Sequence, residues 1–249
     1  GLDLAVEDLL RNYLCSKSAT IEEAKEQVLP HWEDMVKALR DVQVRPSVFL
    51  RHYWMSHWEP VTKQSLYREF RGQIDKKEKT PRAFAESLLE SAEIYVDLVK
   101  PEKGEPGYKH LTNLLELGAT QCLPFLLAVK ENPQHVYNFE EATHLAESLT
   151  VLYSFLGDKN PNRLERKYSE WARAIRQGGK TIEDIKKDAA KLPDPDVIDQ
   201  TFTKEPIREF STAEARFLFK GITEYALNGE LDVSSPKKVH VDHIVAKHP

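Results

Sequence analysis

The sequence predicts an all-α fold of about ten to twelve helices, with one short β-strand close to its C-terminus. Three observations carry this. Apolar residues recur at three- and four-residue spacing along most of the chain. Capping residues and first-turn prolines punctuate those stripes. Alternating β-branched runs are nearly missing before Val239.

The elements follow in order. Val6, Leu9, Leu10, Tyr13 and Leu14 make the apolar face of a first helix, and Thr20 with Glu23 is a capping-box signature before the next. Pro46 and Pro81 stand at first-turn positions, the latter behind a Thr80 cap. Ala85, Leu88, Leu89, Ala92, Val96 and Val99 continue a long stripe. Asn138 with Glu141 is expected to open a helix that buries Ala142, Leu145, Leu149, Leu152 and Tyr153. Asn160-Pro161 opens another with Leu164, Tyr168, Trp171 and Ile175 in line, and Ser211 with Glu214 caps a last one ending at Asn228-Gly229. Turn chemistry fills Lys100 to Gly107, and the proline- and aspartate-rich run Leu192 to Pro206 reads as a loop and a domain boundary.

Composition excludes several classes. The 249 residues suffice for a substantial core, in one large domain or two smaller ones. A formal net charge of −5 argues against a surface coated for nucleic acid, though not against a local basic strip. Cys15 and Cys122 are the only cysteines; they suit neither a disulfide framework nor a zinc knuckle and fit a reducing compartment, most simply the cytosol. The longest apolar run, Cys122 to Val129, is too short to span a bilayer. The chain opens with Gly1 directly before an amphipathic segment, with no signal peptide, and reads as a piece of something longer.

Chemistry-bearing constellations are few. FLRHYWMSHWEP (Phe49 to Pro60) crowds aromatic rings around His52 and His57, which at five residues apart point about 140° from each other on a helix. They cannot share a metal on one face, and core packing with histidines at its edge is the better account. Arg163, Arg166, Lys167, Arg173 and Arg176 are expected opposite the Leu164/Tyr168/Trp171/Ile175 stripe. Such a face can track nucleic-acid phosphates, or be a solvated face partnered by Glu165 and Glu170. No Walker-type loop occurs, and no Ser-His-Asp order can be defended.

The segment KKVHVDHIVAKHP (Lys237 to Pro249) sets Asp242 beside His243 in a short β-branched run. The first strand of a ββα-metal (HNH, or His-Me finger) nuclease site begins this way. One residue holds a divalent cation against the scissile phosphate while its neighbour, on the opposite face of the strand, deprotonates the attacking water. The Asn and His of the second half of such a site do not follow within the chain, which is therefore expected to hold half an active site and neither to cut DNA nor to hydrolyse nucleoside triphosphates by itself.

A collinear set of segments resembles the GmrSD-type, modification-dependent (type IV) restriction endonucleases. GLDLAVEDLLRNYLCSKS (Gly1 to Ser18) is similar to the end of their N-terminal domain, with Gly1, Leu4, Asp8, Leu9, Asn12 and Tyr13 matching. HWEDMVKAL, FLRHYWMSHWEP with LYREF, LLELGATQCLPFLLAV and LTVLYSFLGDKNPNRLE resemble the family's middle in order. RFLFKGITEYALN and KKVHVDHI resemble the entry to its C-terminal HNH domain.

The resemblance implies a parent with a ParB/sulfiredoxin-like nucleotide-binding domain, a helical middle and a metal-dependent DNA nuclease serving bacterial defence. In it residues 1–18 would end the first domain, 19–200 form the helical middle and 207–249 start the HNH domain. Asp242 would ligate Mg²⁺ or a similar ion, His243 would be the general base, and DNA and the missing NTPase and nuclease segments would be the partners. The chain departs from the family in lacking its Asp-Gly-Gln-Gln-Arg motif and in carrying Ala246 where many relatives have proline. The alternative is a non-catalytic helical interaction module in which Asp242-His243 is incidental.

Overall fold

The computed structural model describes residues 5–76, 78–132, 134, 138–157, 159–203 and 210–226. Among these residues the protein is all-helical, with no strand. The strand expected near Val239 to Ile244 lies outside the described residues.

The helices form where their caps and apolar stripes dictate. α1 (Val6–Lys17) buries Leu10 and Leu14. Thr20 accepts from the Glu23 N–H at 3.0 Å and opens α2 (Ile21–Glu23), while the Glu23 carboxylate reaches back to the Ala19 N–H. α2 passes through a π-helical stretch, Ala24–Val28, into α3 (Leu29–Asp41). Pro46 starts α4 (Pro46–His57), and α5 (Leu66–Asp75) follows. Thr80 accepts from the Ala83 N–H at 3.2 Å at the start of α6 (Pro81–Val99). Tyr95 and Leu98, rather than Val96 and Val99, complete its buried face; the two valines are only half-buried.

The core is organised around α8 (Leu123–Glu131), in which every side chain from Leu123 to Val129 is buried. A helix apolar on all sides must be enclosed by others. α4, α6, α9 (Phe139–Leu149) and α10 (Pro161–Arg176) do so. α3 lies along α6, α1 along α5, and α7 (Tyr108–Glu116) along α9. At the α7–α9 crossing Gly107, the N-cap of α7, has φ +76°, and a Cβ there would come within 2.6 Å of Thr143 Oγ1. Only glycine allows both the left-handed turn and the close approach.

Three sequence expectations are corrected. Asn138 makes no side-chain cap for α9. Leu152 is 36% exposed rather than buried, because α9 continues as a π-helical stretch, Thr150–Phe155, whose wider turn rotates later residues off the α-helical stripe. The run Leu192 to Pro206, read as loop, contains α12 (Pro195–Thr203). Its Asp-Pro is a cap and a first-turn proline: Asp194 Oδ1 accepts from the Asp196 N–H at 3.2 Å. Before it, α11 (Ile182–Ala189) starts with a reciprocal Thr181/Asp184 capping box. After it, Ser211 and Glu214 cap each other at the start of α13 (Thr212–Ala226).

Candidate nucleic-acid interface

The basic helix α10 begins at Asn160, whose side chain accepts from the Asn162 N–H at 2.9 Å, with Pro161 in the first turn. Leu164, Tyr168, Trp171, Ala172 and Ile175 anchor it in the core. Phe125 of α8 lies edge-on to Trp171 and stacks on Tyr168.

A polar seam also fixes α10 to α4. Arg51 grips Glu165 through two parallel hydrogen bonds of 2.7 and 2.8 Å, which raise the arginine pKa further against the opposing effect of burial. Ser169 Oγ donates to the Met55 carbonyl at 2.7 Å. Arg176 donates to Ser56 O at 2.8 Å and to Ser56 Oγ at 3.0 Å, and pairs with Glu131. Arg173 pairs with Glu59 from the loop after α4.

The five basic residues of α10 therefore do not share one solvent face, which corrects the geometry expected from sequence. Arg163 and Arg166 are exposed and have no ion-pair partner among the described residues. Lys167 is half-buried and pairs with Glu170 at 2.8 Å. Arg173 and Arg176 flank the apolar stripe rather than oppose it, because α4, the loop after it and α8 supply their partners. The free cationic edge is the N-terminal half of α10.

The two histidines of α4 turn to separate partners. His52 Nδ1 lies 2.7 Å from the Tyr95 hydroxyl. His57 Nδ1 lies 2.9 Å from the Tyr53 carbonyl. Burial first, and the nearby Arg51 and Arg176 cations second, pull their pKa values down to about 4 for His52 and about 3 for His57. Both rings are neutral at physiological pH.

Sequence reading missed an open cleft of about 460 Å³ between α4, α5 and α10, to which Trp58, Gln73 and Arg173 contribute. No spacing rule could have found it, since α10, which closes it over α4 and α5, lies about a hundred residues further along the chain. A larger cleft of about 760 Å³ lies between α1 and the α3–α4 turn, but acidic Glu7, Asp8 and Glu33 alternate there with Arg11, Lys37 and Arg40. A buried polar cluster joins α7 to α9, where His110 and Asn113 both donate to Glu147; Lys220 of α13 donates to Asn113 Oδ1 at 2.8 Å.

Asp242 and His243, the expected metal ligand and general base, lie outside the described residues. Among the described residues no group of three or more His, Cys, Asp or Glu side chains could hold a metal ion. No helix among them is long and apolar enough to cross a membrane. No family model, curated protein or solved structure matches the chain.

Proposed function

We propose that this chain is the helical coupling region of a GmrSD-type, modification-dependent DNA restriction endonuclease, leading into a metal-dependent HNH site that begins with Asp242 and His243. The observation that carries the reading is the collinear order of segments from DLLRNYL in α1 to VDHI near the C-terminus. The free arginines of α10, on a helix clamped to the core by α4, support a phosphate-tracking role. Rigid cationic helices position a duplex without reading its sequence. A divalent metal held by Asp242 would activate the water from which His243 takes a proton.

The encoding gene immediately downstream of Pro249 should specify Asn and His on a strand–turn–helix pattern. In the longer protein His243→Ala should abolish metal-dependent DNA cleavage. Cleavage that survives this change would sink the nuclease assignment. For DNA guidance, the double variant Arg163→Glu/Arg166→Glu should weaken duplex binding at low salt and flatten the salt slope by about one unit for each phosphate no longer neutralised.

A second reading, a non-catalytic helical interaction module, is favoured by α13, where Phe219 is 53% and Ile222 61% exposed. Under it, the downstream pattern should be missing and the charge reversal should leave DNA binding unchanged.

A further inference from the structure

We infer that the cleft between α4, α5 and α10 receives a single unstacked nucleobase, held against the Trp54/His57/Trp58 wall and read by polar groups on the rim. This deepens the DNA-binding reading and depends on it only for how the base is delivered.

The wall is three rings in series, with Trp54 and Trp58 centroids 4.4 Å apart and His57 and Trp58 centroids 5.1 Å apart. The Trp54 indole is pinned by donating to the Glu59 carbonyl at 2.9 Å. Arg176 donates to Ser56 Oγ, and Ser56 Oγ donates to the Tyr53 carbonyl, so His57 Nδ1 carries its proton into this network. Its Nε2 is then an acceptor, with no partner among the described residues, on a cleft-lining ring.

The rim decides the ligand class. The carboxylates of Glu59 and Glu69 are matched by two lining cations, Arg173, which pairs with Glu59, and Lys76, so the rim has no net charge with which to draw a phosphate into the cleft itself. Gln73 and Arg173 add donors beside those acceptors. An uncharged planar group with a π-face and both donor and acceptor edges satisfies all of these at once, and a nucleobase is such a group. Arg166 lies two turns before Arg173, about 10 Å along α10, where its exposed guanidinium would meet backbone phosphates outside the cleft.

Gly72 provides the test. It lines the cleft from α5, and a Cβ at this position meets nothing within 4 Å. A larger side chain fills the cleft without disturbing the helix. The probes are a DNA duplex with one unpaired 2-aminopurine and the same duplex fully paired, both read by emission and by anisotropy with this chain. The unpaired base should lose emission on binding as it meets the indole wall. Gly72→Leu should remove that response while the melting temperature holds or rises, and Trp58→Ala should weaken the unpaired probe about tenfold. A paired duplex that binds while the unpaired probe gives no extra response overturns the cleft inference and leaves the α10 reading standing. A response to the unpaired probe without binding of the paired duplex does the reverse. An undiminished response in Gly72→Leu, or no response to either probe, overturns the cleft.

Discussion

Buried histidines make this fold sensitive to acid at particular residues. His52 and His57 are held down to about 4 and about 3, whereas in the unfolded chain each takes up a proton near 6.5. Because both folded values are depressed, their contribution to stability is fully present above pH 6.5. It is lost as pH falls toward 4 and then 3. Between those limits the unfolding free energy should fall by about 1.4 kcal/mol per pH unit for each histidine. Denaturant titrations from pH 7 to 4 check this, and the slope in a His52→Gln/His57→Gln protein should be shallower by about twice that amount; an equal slope refutes the assignment. Gly107 makes a second residue-scale prediction. Gly107→Ala combines a left-handed φ of +76° with a 2.6 Å approach to Thr143 Oγ1 and should cost about 1–3 kcal/mol in a denaturant titration. Gly72→Ala, in the open middle of α5, should instead stabilise by about 0.5–1 kcal/mol.

At the scale of elements, α10 carries arginines of two kinds. Arg176 is mostly buried against Glu131 and Ser56, so Arg176→Ala strands a carboxylate whose side chain is 12% exposed. A loss of about 2–4 kcal/mol should follow. Arg166→Ala should change stability by less than about 0.5 kcal/mol, as is usual at the surface. Thermal melts of the two variants separate structural from available charge, and equal losses would contradict this division of α10. The cap, the proline and the apolar stripe of α10 were legible in its sequence, since all three are local. Which cations were free was not, because Glu59 and Glu131 come from other elements. The π-helical stretch after Leu149 was equally hidden, for the residues Thr150 to Phe155 look like ordinary helix and only packing selects the wider turn.

For the whole molecule, the enclosure of α8 predicts cooperative unfolding. Phe125 is fully buried and touches Tyr168 and Trp171 of α10. Phe125→Ala should cost about 3–5 kcal/mol. Helical circular dichroism and tryptophan emission should shift to the same lower midpoint, since α8 contacts α4, α6, α9 and α10 together. Separate midpoints would mean that α10 is not part of the core unit. The helical class, the starts of most helices and the candidate basic residues were determined by the sequence alone, because periodicity and capping act within a few residues. The partners of Arg173 and Arg176, the exposure of Leu152 and the aromatic cleft beside Gly72 were decided only by tertiary structure. Each depends on side chains far apart in the chain, or on a helical turn that packing rather than local propensity selects, and a one-dimensional pattern carries no record of which surfaces meet.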